Sequence, residues 1–247
     1  MRRQGYRYLV RTTGRRSGDG YWIAALDRLT VTEASRHGYG AALGRPSEGS
    51  RLRARRQERY LSRLPPPARR GYFAALQGDR HVGEISLDIA QGAFSVPIAG
   101  CVSHAKRRLF GNLRNYLLAT YLPQEILLRQ DAAWRDTHVR RSLSVYARCM
   151  VEMGYPRLSR PDLARAAAAR MFGARPEDAP PTERERALAL ADARCQEVSD
   201  IVSAFARALA QASSSWLRIH EEDVARILLI RRRAVARARE ILLGPVW

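Results

Sequence analysis

Apolar residues recur in two rhythms along the chain. Between residues 85 and 98, Ile85, Leu87 and Ile89 alternate with Ser86 and Asp88, and Phe94, Val96 and Ile98 alternate beyond the turn pair Gln91-Gly92. A period of two marks strands with one buried face, so this stretch predicts a β-hairpin with Pro97 at an edge. Its polar face carries Glu84, Ser86 and Asp88, a poor surface to lay on phosphates. A first hairpin is expected where residues 6 to 12 and 21 to 31, both rich in aromatic and branched side chains, flank the glycine-punctuated basic segment 14 to 20. Residues 35 to 44 hold three glycines and read as a loop, whereas residues 51 to 64 lack a breaker and read as a basic helix ended by Pro65-Pro66-Pro67.

From residue 103 the rhythm becomes helical. Helices are expected over residues 103 to 121, with Ser103 as cap, 124 to 135, 139 to 153 and 160 to 172. Ser159 would cap the last of these, with Asp162 at its third position. Thr182 and Glu185 have the spacing of a capping box for one long helix to about Ala212, broken by Ser213-Ser214-Ser215. Leu188, Ala191, Cys195, Val198, Val202, Phe205, Leu209 and Ala212 alternate at three and four residues within it, a heptad seam. The final helix opens on Glu221, Glu222 and Asp223, which suits its dipole, and offers Val224, Ile227, Leu228, Val235, Ala238 and Leu242 as an apolar side. That side makes it an antiparallel partner for the seam, which would otherwise serve a dimeric coiled coil. The expected fold is α+β and predominantly α: a small N-terminal region with β-hairpins, residues 1 to 100, packed on a C-terminal multi-helix bundle, residues 101 to 247.

Charge changes the picture from fold to partner. The 247 residues carry 43 Lys plus Arg against 24 Asp plus Glu, a formal net charge of +19. All but one of the 43 are arginine, Lys106 being the exception. Arginine in place of lysine is what a GC-rich coding sequence produces by itself, so the excess over acids carries the argument. Such an excess repels itself unless a polyanion offsets it, and nucleic acid is the expected one. A mean hydropathy of −0.37 with 46% hydrophobic residues describes a globular chain rather than a basic tail. No apolar run approaches the ~18 to 20 residues of a membrane span, and the first ten residues lack a long apolar segment. No membrane partner is expected, and the expected location is cytoplasmic.

The charge concentrates in places. Arg51, Arg53, Arg55, Arg56, Arg59, Arg63, Arg69 and Arg70 stand in twenty residues with Glu58 as the lone acid. This is the favoured phosphate-binding segment, with Tyr60 and Tyr72 nearby as possible stacking partners or as core. Arg15 and Arg16 form a weaker candidate. A second cluster holds Arg226, Arg231, Arg232, Arg233, Arg237 and Arg239, of which Arg226, Arg233 and Arg237 would form a basic ridge. Residues 139 to 153 and 160 to 172 resemble a helix-turn-helix in outline, with Arg165 as a phosphate or base contact alongside Arg157, Arg160 and Arg170. The connection between them exceeds the usual 3 to 4 residues, and Ala166 to Ala169 equally suit plain helix packing.

Catalytic signals are thin. Cys101, Cys149 and Cys195 are far apart and form no C-x-x-C pair, so three free thiols are expected. The five histidines show no helical metal pairing, and no phosphate loop, dinucleotide fingerprint or nucleophile elbow is present, so neither metal nor cofactor is expected. One constellation stands out: His37 with Tyr39, near arginines, could activate an RNA 2′-hydroxyl without metal. The leading expectation is a non-enzymatic DNA-binding regulatory or accessory protein. Alternatives are an RNA-binding subunit of a ribonucleoprotein of the CRISPR type, with His37 in RNA cleavage, and an oligomeric scaffold with nonspecific nucleic-acid affinity. Partners would be DNA or RNA, with a homodimer or larger nucleoprotein assembly as a further possibility.

Overall fold

Among the described residues the alternating stretch near 85–98 forms strands, and most of the rest forms helices. The computed structural model describes residues 1, 5–9, 28–40, 47–175 and 179–243. In order these form α1 (Val31–His37), α2 (Glu48–Ser62), α3 (Pro66–Gln77), β1 (Glu84–Ile89), β2 (Gly92–Pro97), α4 (Cys101–Phe110), α5 (Leu113–Tyr121), α6 (Gln130–Arg135), α7 (Thr137–Glu152), α8 (Pro161–Phe172), α9 (Glu183–Ser199), α10 (Ile201–Ile219) and α11 (Glu221–Leu243). The protein is mostly helical with a small two-stranded antiparallel sheet. No helix among the described residues is long and apolar enough to cross a membrane.

The chain divides into two compact units interleaved in sequence. One comprises Met1–Leu9, Gln57–Leu128 and Ser214–Trp247, the other Val10–Arg56 and Arg129–Ser213. The compositional division at residue 100 is a different partition, because each unit draws on both sides of it.

In the first unit the hairpin pairs as its alternation requires, Ile85 opposite Val96 and Leu87 opposite Phe94. That face packs on α5 through Leu113 and Leu117, and Phe94 stacks on Tyr121 at 4.3 Å. A second cluster joins Leu118, Ala119 and Leu122 to Trp216, Ile227 and Ile230. Three local readings change. The prolines at 66 and 67 open α3 instead of only ending α2, since proline is accommodated in a first helical turn where its missing N–H has no intrahelical role. Gly111, at φ +87°, splits the expected 103–121 helix, and Asn112 caps the second part by accepting from Asn115 N at 2.7 Å. Ser103 caps nothing, because its hydroxyl donates to Pro97 O at 2.6 Å. Gly78, at φ +89°, and Gly100, at φ +94°, sit back to back after α3 and before α4, where a Cβ on either would strike the other's backbone or its neighbour's.

The second unit is built around α9, which is buried on most sides. Alanines 189, 191 and 193 let α1, α7 and α8 approach it closely. The long seam is corrected here. Asp200 adopts a left-handed conformation, φ +49°, and divides the predicted helix into α9 and α10, leaving Val198 exposed. Ser213 to Ser215 do not break the chain but continue α10. The partner assignment is corrected too. α9 packs on α7, α1 and α8, whereas α11 packs on α4 and α5. The buried side of α11 is Ile227, Ile230 and Ala234, so Leu228, Val235 and Leu242 are exposed instead of buried. Residues 35 to 37 are helix rather than loop, held by a capping box of Thr30 and Glu33. Ser159 does not cap α8, whose N-cap is Arg160, and Asp162 takes the Arg160 guanidinium at 2.9 and 3.1 Å. The helix-turn-helix outline therefore loses Arg160 to an ion pair that also lies over the Trp134 ring at 4.3 Å.

The three-thiol expectation is corrected: Cys149 on α7 and Cys195 on α9 form a disulfide with Cα atoms 5.5 Å apart, leaving Cys101 as the free thiol. Distance in sequence concealed a pair that helix packing brings face to face.

Candidate nucleic-acid interface

The densest arginine segment is divided between the two units at residue 57. In the first unit, the end of α2 and the start of α3 present Arg59, Arg63, Arg69 and Arg70, all exposed. What shapes this surface is an aromatic cluster beneath it. Tyr72 is fully buried, with the rings of Tyr6, Tyr60 and Phe73 edge-on to it at 5.6, 6.3 and 5.3 Å. Gln57 ties the cluster to the N-terminal segment. Its amide nitrogen donates to the Tyr72 hydroxyl at 3.2 Å and its oxygen accepts from Leu9 N at 2.9 Å, while Tyr60 OH accepts from Arg7 N at 3.3 Å. Burial pushes the Tyr72 phenol above its ordinary value, with the Tyr8 and Tyr60 phenols adding to the shift and the Gln57 bond opposing it.

Residues 6–9 are thereby laid against α2 and α3, adding Arg7 and Tyr8 to the four arginines. Tyr8 is 46% exposed and Phe73 40%, so two rings remain open to solvent in a setting of five arginines. Tyr60 and Tyr72, the rings singled out by sequence, are structural, and the accessible rings are Tyr8 and Phe73. Nothing local signalled this, because the pairing of residues 6–9 with α2 spans about fifty positions.

In the second unit Arg55 and Arg56 are exposed, but Arg51 donates to Ala174 O at 2.5 Å and Arg53 folds back toward Gly49. Arg15 and Arg16, with most of the first predicted hairpin, lie outside the described residues. The 226–239 cluster is not a uniform ridge. Arg231 donates to Ala119 O at 2.8 Å and Arg237 to Leu109 O at 3.0 Å, so both satisfy carbonyls in the last turns of α5 and α4. Arg226, Arg232, Arg233 and Arg239 stay exposed.

Arg165, His37 and Tyr39 fall in or beside a buried polar network. Asp192 of α9 accepts from Tyr39 OH at 2.9 Å, Tyr146 OH at 2.8 Å and Gln196 Nε2 at 2.8 Å, with the Arg165 charge acting on it. Burial raises the Asp192 carboxyl above its usual range, against the pull of those three donors and of Arg165. Glu185, fully buried one face-repeat earlier, accepts from Tyr39 N at 3.2 Å and pairs with Arg175 at 2.8 Å. A Cβ at Gly38, φ +60°, would lie 2.9 Å from the Glu185 carboxylate, so glycine is required there. Thr182 does accept from Glu185 N at 3.1 Å, but the Glu185 side chain leaves the capping box for Arg175. His37 is exposed on α1, whereas the Tyr39 hydroxyl is committed to Asp192, so the two are not brought to one reacting atom. The signal for this network was a polar stripe, Glu185, Asp192 and Gln196, at i, i+7 and i+11 within an apolar helix. Its donors and acceptors meet inside the protein, and it joins α9 to α7 and to the end of α1. Among the described residues no group of three His, Cys, Asp or Glu is placed to hold a metal ion.

The network sets an alkaline limit. Burial first, then the neighbouring Asp192 charge, raises both the Tyr39 and Tyr146 phenols far above 10. A raised folded value means stability present below the unfolded value near 10 and lost as pH rises beyond it. Unfolding free energy measured by urea titration should fall above pH 10 with a slope of about 2.7 kcal/mol per pH unit from the pair, and Tyr39→Phe should roughly halve that slope. An unchanged slope in the variant would remove Tyr39 from the account.

Comparison with protein-family models, with curated proteins and with solved structures finds no match to this chain.

Proposed function

We propose that the protein is a non-enzymatic nucleic-acid-binding protein, regulatory or accessory to DNA, that engages phosphates through the α2–α3 surface of its first unit. The observation that carries the reading is that Arg7, Arg59, Arg63, Arg69 and Arg70 are all exposed, along the end of α2, the start of α3 and the segment laid against them, on a chain of net charge +19. Glu58 is the single acid among residues 51 to 70. Phosphates would offset their mutual repulsion and release condensed counterions, which makes affinity fall steeply with salt. Solvent-open Tyr8 and Phe73 beside these arginines favour a second reading, an unpaired strand of DNA or RNA whose bases stack on the rings.

The test is binding to duplex DNA, single-stranded DNA and hairpin RNA across a salt series. Replacing Arg59, Arg63, Arg69 and Arg70 by alanine should lower the magnitude of the log–log salt slope by about 3 to 4 on duplex and about 3 on single strands. All four are exposed, so far-ultraviolet circular dichroism should be unchanged. An unaltered slope removes the proposed surface. Tyr8→Ala with Phe73→Ala separates the two readings: a loss of about 1 to 3 kcal/mol per base confined to single strands selects stacking, and no loss selects the duplex.

A further inference from the structure

α11 is apolar on two sides. Its inner side, Ile227, Ile230 and Ala234, is buried in the core of the first unit. Its outer side repeats Leu228, Val235 and Leu242 every seventh residue, and these are 53%, 52% and 80% exposed. Leu229 and Leu243 widen the same exposed face. A helix with apolar residues on both sides is normally covered on both, and large exposed apolar stripes mark interaction surfaces. Arg232 and Arg239 stand four residues after Leu228 and Val235, so they run along the middle of the stripe and not at its rim. Among the described residues no ion pair engages either.

The placement of those two charges selects the occupant. In the antiparallel register that pairs this seam with itself, Val235 on Val235 and Leu228 on Leu242, a second copy of α11 sets Arg232 opposite Ala238 and Arg239 opposite Arg231, so both charges are desolvated with no carboxylate to pair them. A bilayer favours cations at the rim of an apolar stripe, where they reach headgroups, and disfavours them at its centre. A phosphate backbone would leave the leucines and the valine against polar groups. An α-helix with carboxylates spaced seven residues apart between apolar residues satisfies both demands, covering the leucines while pairing each arginine.

We propose that the outer face of α11 docks an acidic amphipathic helix of a partner protein, with Leu228, Val235 and Leu242 as the apolar seam and Arg232 and Arg239 as the charges that set register. This does not depend on the nucleic-acid reading, which rests on a different surface.

The probe is a capped 21-residue peptide carrying Leu and Glu in the complementary seven-residue spacing, titrated against the full chain by fluorescence anisotropy. Saturable binding is expected. Arg232→Glu with Arg239→Glu should weaken it at least tenfold, and a peptide with Lys in place of Glu should restore binding to that variant, which a misfolded protein would not show. The variant lacking Arg59, Arg63, Arg69 and Arg70 should bind the peptide as the wild type does, so failure of one reading leaves the other standing. Absence of saturable binding, or equal binding of the Glu peptide by the charge-reversed variant, overturns the proposal. So does sedimentation of the wild type as a dimer that Leu228→Glu with Leu242→Glu dissociates. Binding to phosphatidylglycerol vesicles through these residues, without peptide binding, overturns it as well.

Discussion

Replacing Asp192 by alanine should lower the unfolding free energy by about 3 to 5 kcal/mol. The carboxylate accepts from Tyr39, Tyr146 and Gln196, and its loss leaves three buried donors with no acceptor. Each such orphan costs about 1 to 3 kcal/mol, partly offset because a desolvated acid has also been removed. Asp192→Asn keeps one carbonyl acceptor and adds a donor with nowhere to go, so an intermediate loss of about 1 to 2 kcal/mol is expected. Urea denaturation followed by circular dichroism measures both. A loss under 1 kcal/mol for the alanine variant would show that the network does not hold α1 and α7 to α9.

The second large effect belongs to the same helix pair. Cys149 and Cys195 close a loop across 46 positions, for which the chain-entropy model gives about 4 kcal/mol. Cys149→Ser with Cys195→Ser should therefore lower Tm by roughly 8 to 16 °C at this chain length. Reducing the wild type should reproduce the shift, and the double variant should be indifferent to reductant. Denatured but unreduced protein should titrate one free thiol, Cys101. Tyr146 and Cys149 lie one turn apart on α7, as Asp192 and Cys195 do on α9, so the hydrogen bond and the disulfide are stacked at one interface. Combining the cysteine changes with Asp192→Ala should give a loss that departs from additivity by about 0.5 to 3 kcal/mol, because residues in contact do not act independently. Three titratable thiols in unreduced protein would sink this prediction.

Much of the local structure was written in short-range pattern. The 85–98 hairpin, the basic helix after residue 50, the acidic opening of α11 and the start of α9 at Thr182 each depend on residues within one turn or one hairpin of each other. The 188–212 seam satisfied heptad spacing through Val198, but Asp200 turns left-handed and rephases the helix, so Ile201 and Ala204 are buried where the continuous repeat would have had Val198 and Val202. On α11 two apolar sides competed, and periodicity alone chose the wrong one for the core. Thr30 and Glu33 form a capping box that starts α1, a local signal set against the glycines at 38, 40 and 44.

The candidate surface was legible as charge and illegible as geometry. Eight arginines in residues 51–70 stand out as charge in the sequence, but which of them face solvent depends on where distant carbonyls and helices lie: Arg51 is drawn to Ala174, while Arg59, Arg63, Arg69 and Arg70 are exposed. Arg231 and Arg237 looked equivalent to Arg232 and Arg239 until α4 and α5 presented the carbonyls they serve.

By itself the sequence determined the class of element at most positions and the sign of the protein's own charge, because hydrophobic period and net charge are sums over neighbours. Only the tertiary structure decided which cysteines join, which of two apolar sides of α11 is the core, and that Tyr39 serves Asp192 rather than His37. Those outcomes depend on contacts between residues tens of positions apart, whose pairing is set by how the helices pack.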